Sequence, residues 1–121
     1  MRHLLEHERP VVAFLFDLAG IAVDLDSLQV RPMSDGGMGS LAIAPFESSR
    51  KLGSSPAECH FYDLDGVPVS AELNLDQNGE PFEIDIWRVD FAPTVGWPLH
   101  AELLPGPPNN SFKPNPLRGS A

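Results

Sequence analysis

His3-Leu4-Leu5-Glu6-His7 sets two imidazoles four residues apart beside a carboxylate, the H-x-x-E-H spacing that binds zinc when both rings project from one helix face. Pro10 follows closely and no third ligand is indicated, so a polar first turn of a helix accounts for the same residues. A second metal pattern runs from Asn74 to Asp85, where Asn74, Asp76, Asn78, Gly79 and Asp85 match positions of a calcium loop. That loop needs a helix on each side and a closing Glu. Here both flanks alternate as strands and Pro81 intervenes, so an Asn-Gly hairpin is the simpler account. Neither pattern predicts a metal, and no cofactor is expected.

Three other groupings could meet a ligand. In Asp35-Gly36-Gly37-Met38-Gly39 the glycines suit backbone angles that other residues resist, and successive amides in such a turn can form an anion nest. The lysine of a phosphate loop is missing, and a tight hairpin turn explains the glycines equally. Trp87 and Trp97 could wall a pocket beside that turn, or could both belong to the core. Glu72, Glu83 and Asp85 fall on one face of a strand pair, where like charges across a ladder destabilise it. A surface that bears this cost suits a cation or a basic partner; a solvated face relieved by salt is the plainer alternative. Cys59 and His60 are adjacent, so a strand points them to opposite faces and they cannot act as nucleophile and base. His60 and His100 read as surface or edge positions.

The three carboxylates are positioned by the most regular stretch of the chain, Val67–Phe91. Val67, Val69, Ala71, Leu73 and Leu75 alternate with polar residues, Asn78-Gly79 turns the chain, and Phe82, Ile84 and Ile86 resume the alternation. With two loop residues Leu75 faces Phe82, Leu73 faces Ile84 and Ala71 faces Ile86. Glu72 then lies opposite Asp85 and Asn74 opposite Glu83. Trp87, Val89 and Phe91 fall on the other face, which predicts cover on both sides. A helix would cover one, and Pro93–Leu104, with Trp97, Leu99 and Leu103, would fold back on the other.

That helix is read from Leu4, Val11, Leu15 and Leu18, with Phe14 beside them, Pro10 in its first turn and Gly20 as its C-terminal cap. Leu28 and Val30 mark a strand, Ser34–Met38 a turn, and Gly39 opens a second strand in which Leu41 and Ile43 face one way and Ala42 and Ala44 the other. Pro45–Pro56 reads as an exposed loop, Cys59–Tyr62 as a third strand and Asp63–Gly66 as the turn into the hairpin. The expected fold is α+β: an N-terminal helix packed on a mostly antiparallel sheet of about five strands built from hairpins. One domain should span residues 1–108, with a flexible tail over 109–121.

The chain has 121 residues, with 17 acidic against 8 basic, a balance that argues against a nucleic-acid backbone as partner. A single cysteine precludes an internal disulfide framework and suits a reducing compartment. The apolar run Val11–Phe16 is too short for a membrane span and is flanked by acids where a secretory signal carries basic residues. A cytoplasmic protein with no membrane partner is expected, and homo-oligomerisation is left open.

The C-terminal run NNSFKPNPLRGSA, Asn109–Ala121, resembles the translated recombination site that ends many proteins encoded on bacterial integron gene cassettes. The resemblance implies that this run records how the gene moves. DGGMGSL (Asp35–Leu41) and EIDIWRVDF (Glu83–Phe91) resemble signatures of a family of small bacterial proteins without an established function, which implies an α+β domain and supplies no catalytic residues. The functional expectation is a non-enzymatic protein-binding module, for example a neutraliser of a basic partner. The alternative is a small-molecule-binding protein or enzyme with a pocket near Trp87, Trp97 and the Asp35–Gly39 turn.

Overall fold

The computed structural model describes residues 1–108. The chain opens with a two-residue strand, β1 (Arg2–His3), and a 3-10 turn over Glu6–Glu8. The Glu8 carboxylate accepts from the Leu5 N–H and pairs with Arg2 at 2.8 Å, fastening the turn to the strand before it. Helix α1 (Arg9–Ala19) starts with Pro10 in its first turn, where the missing N–H costs nothing, and ends at Gly20 in the left-handed conformation. Val11, Val12, Leu15 and Phe16 are buried, whereas Leu18 is exposed. The buried stripe is therefore rotated from the one read off the sequence, because Phe16 rather than Leu18 lies over the sheet.

Among the described residues seven strands, rather than about five, form one antiparallel sheet. After β1 come β2 (Gln29–Pro32), β3 (Leu41–Ile43), β4 (Leu52–Tyr62), β5 (Pro68–Asp76), β6 (Pro81–Arg88) and β7 (Leu104–Pro105), in the spatial order β1-β2-β3-β6-β5-β4-β7. The two additional strands are the two-residue edges β1 and β7, too short for alternation to reveal. The expected loop Pro45–Pro56 is also shorter than read, since β4 begins at Leu52. Residues 52–56 are exposed and carry two register shifts against β5, so no alternating pattern marks them as strand.

In the β5–β6 hairpin Leu73 pairs with Ile84, Ala71 with Ile86, Glu72 with Asp85 and Asn74 with Glu83, as the alternation predicts. Nearer the turn the expected Leu75–Phe82 pair gives way to Leu75–Pro81. The Asp76 N–H donates to the Glu80 carbonyl and the Gly79 N–H to the Asp76 carbonyl, with Gly79 at φ 80°. The loop is thus three residues, Gln77–Gly79, and Phe82, left between the Asn74–Glu83 and Leu75–Pro81 pairs, takes up the extra residue as a bulge.

Val30, Leu41, Ile43, Ala57, Cys59, Phe61, Val69, Ala71, Leu73, Ile84 and Ile86 join the helix residues in one core. Leu103 and, half-buried, Trp97 enter the same cluster. The segment after Pro93 therefore folds back on the helix side of the sheet instead of covering the other face, and Leu99 stays exposed.

Candidate functional site

Because side chains alternate along a strand, burying Val69, Ala71 and Leu73 under α1 sends Ser70, Glu72 and Asn74 to the opposite face. Strand register then assembles rows across that face. Glu58 on β4 pairs with Glu72 on β5, which pairs with Asp85 on β6, so three carboxylates stand side by side. One row over lie His60, Ser70 and Trp87; on the other side Asn74 pairs with Glu83.

Partial burial, then the charges of Glu58 and Asp85, push the Glu72 carboxyl above its ordinary range. Burial and the Asp85 charge do the same to Glu83. Asp85 is raised by burial and by Asp35 although Asn74 donates to it at 2.8 Å. No basic side chain relieves this row among the described residues. Arg2 is paired to Glu8, Arg9 to Asp26, Arg50 to Asp76 and Arg88 to Asp63, Asp65 and Asp90. Beside the row the Ser70 hydroxyl is buried without a hydrogen-bond partner among the described residues, an uncommon condition for a polar atom. His60 is a correction to the surface or edge position expected for it: it is buried on a strand paired on both sides, and its Nδ1 lies 2.8 Å from the Gly106 carbonyl. A carbonyl only accepts, so Nδ1 carries the proton.

A second charged cluster lies at the far end of β6. Arg88 continues the core-facing positions Ile84 and Ile86 and is itself buried. It pairs with Asp63 at 2.7 Å, Asp65 at 2.9 Å and Asp90 at 2.8 Å. Burial alone would raise the Asp63 carboxyl, but N–H donors from Val95, Gly96 and Leu64, together with Arg88, outweigh it and hold the group at about 2. The fully used donors and acceptors make this a structural clamp that ties the Asp63–Gly66 turn to the return segment.

The remaining sequence candidates separate. In the Asp35–Gly39 turn, Gly36, Gly37 and Gly39 all have positive φ. The Met38 and Ser40 N–H groups donate to the Asp35 carboxylate at 3.1 Å and 2.7 Å, so the nest is filled by its own acid. Trp97 packs over Gly39 and against His7 and Phe61, and with the turn it lines a cavity of about 270 Å3. Trp87 does not line that cavity and sits opposite Ser70 on the acidic face, so the two tryptophans do not build one pocket. His3 lies in β1 and His7 in the 3-10 turn, so the H-x-x-E-H residues are not on one helix face. Asp76 accepts from Asn78, Glu80 and Arg50 within the hairpin turn, which accounts for the calcium-like spacing. Cys59 is buried and its thiol is pushed up to about 12 by burial and by Glu58, an environment that suppresses the nucleophilic thiolate. No helix among the described residues is long and apolar enough to cross a membrane.

Glu58 and Ser70 were not singled out in the sequence. Glu58 joins the row only through the β4–β5 register, and Ser70 becomes notable only once its burial is known. A family model described as Domain of unknown function (DUF6984) matches residues 1–98. No curated protein and no solved structure matches the chain.

Proposed function

Starting from the premise that the chain belongs to the family described as Domain of unknown function (DUF6984), we propose that it is a non-enzymatic module that binds a basic protein segment on the sheet face away from α1. The observation that carries this reading is the row Glu58–Glu72–Asp85, three carboxylates across three adjacent strands with no basic partner among the described residues. Ionising them together costs free stability, and a cationic side chain laid along the row returns it. Trp87, half-buried beside the row, adds an aromatic surface for a guanidinium or ammonium. The same reading keeps the cytoplasmic location expected from the acids that flank Val11–Phe16, and assigns the gene to a mobile cassette on the resemblance of Asn109–Ala121, which lies outside the described residues.

Titrating the protein with a lysine- and arginine-rich peptide at low salt, and following backbone amide shifts, tests the assignment. Shifts should concentrate at Glu58, Ser70, Glu72, Asp85 and Trp87 and fade as salt is raised. Absence of binding at low salt, or shifts centred on another face, would overturn it.

A further inference from the structure

The row next to the three carboxylates runs Asn74, Glu83, Ala42, Arg31, across β5, β6, β3 and β2. It places a cation and an anion on one face with only an alanine side chain between them. Arg31 and Glu83 both line an open cleft of about 470 Å3, and Ala42 lines it between them. Phe46 and Phe82 provide aromatic lining. An apolar lining with a few convergent polar groups is the usual composition of a small-molecule site.

The two charges are not used on each other. The Arg31 guanidinium lies over the Phe46 ring at 4.3 Å, and among the described residues neither Arg31 nor Glu83 makes an ion pair. Arg50 also reaches the cleft, but it is held by Asp76 and by the carbonyls of Ile43, Pro45 and Pro81, so Arg31 is the cation free for a ligand. Glu47 adds a further carboxylate at the exposed rim.

We propose that this cleft binds an α-amino acid with an apolar or aromatic side chain, its carboxylate on Arg31, its ammonium on Glu83 and its side chain against Phe46 and Phe82. The spacing supports this. Arg31 and Glu83 stand two strand steps of about 4.8 Å apart in one row, so their backbone positions are roughly 10 Å from each other and their long side chains can both reach one small ligand. An ammonium and a carboxylate borne on one carbon can meet Glu83 and Arg31 together while the side chain lies on the aromatic lining. The small Ala42 side chain keeps the floor low enough for the ligand backbone to lie across it. This site shares Glu83 with the acidic face but does not depend on a basic protein partner.

Calorimetric titration with phenylalanine, leucine and methionine tests the proposal, with N-acetylphenylalanine and phenylalaninamide as analogues that lack the cation and the anion. At least one free amino acid should bind, and each blocked form of phenylalanine should bind at least tenfold more weakly than phenylalanine itself. Glu83→Gln should remove the preference for phenylalanine over its acetylated form, and Arg31→Gln the preference over its amide, since each variant deletes one end of the pairing. Ala42→Leu, which fills the floor without changing charge, should abolish binding of all of them; its melting temperature and circular dichroism show whether it remains folded. Failure of all three amino acids to bind at millimolar concentration overturns the proposal. So does equal binding of phenylalanine and either blocked form, or retention of both preferences in the two charge variants. Binding of the basic peptide is measured separately, so either reading can fail alone.

Discussion

Replacing Asp63 by Asn deletes the buried acid at the centre of the Arg88 clamp while nearly preserving volume. The Asp63 side chain is 1% exposed, pairs with Arg88 at 2.7 Å, and accepts N–H groups from Leu64, Val95 and Gly96. These donors, winning against burial, lower its carboxyl from 3.8 to about 2. A depression of nearly two units corresponds to about 2 kcal/mol of folding free energy. The sign is that of a depressed acid. Its contribution is complete above the unfolded value of 3.8 and is lost as pH falls through about 2. Urea midpoints should therefore show Asp63→Asn less stable by about 2 kcal/mol at neutral pH, with the deficit closing as the pH is lowered through that window. Asp90, also held at about 2 by Arg88 and the Ala92 N–H, keeps part of the acid sensitivity in the variant. An unchanged midpoint at neutral pH, or a deficit that persists undiminished at pH 2, would refute the clamp's assigned role.

Leu73 and Ile84 are fully buried partners in the hairpin, so Leu73→Ala or Ile84→Ala should each cost about 2 to 5 kcal/mol in denaturant unfolding. Gly39→Ala should lower the melting temperature and alter Trp97 fluorescence, because φ is 112° and the added methyl would collide with the indole. Truncation after Pro108 should leave the melting temperature unchanged; a loss of several degrees would contradict the reading of Asn109–Ala121 as a recombination-site remnant.

The hairpin was legible because alternation, turn dipeptide and burial coincide there: Leu73, Ala71, Ile84 and Ile86 have one consistent solution. The three-residue loop and the bulge at Phe82 escaped because Asn-Gly also fits a two-residue turn, and only the backbone distinguishes the loops. β1 and β7 lie below the length at which a period exists. Residues 52–56 are strand by pairing to β5, while their exposure leaves no hydrophobic pattern. For the acidic face, Glu72, Glu83 and Asp85 followed from the local hairpin, whereas Glu58 needed the non-local β4–β5 register. Asp63 and Asp65 looked like ordinary turn residues. The clue to their role was Arg88, a charged side chain in phase with Ile84 and Ile86, which had to find a buried partner.

The central claim, that the acidic row is a recognition surface, is tested most directly by the double variant Glu72→Gln, Asp85→Asn, measured for stability and for binding of the basic peptide on the same preparation. Burial raises both carboxyls, helped at Glu72 by the charges of Glu58 and Asp85 and at Asp85 by Asp35, so their ionised forms oppose folding as pH rises from the unfolded-state towards the folded-state values. At neutral pH the variant should melt at a higher temperature than the parent protein and bind the peptide at least tenfold more weakly. Higher stability with undiminished binding, or lower stability, would contradict the account.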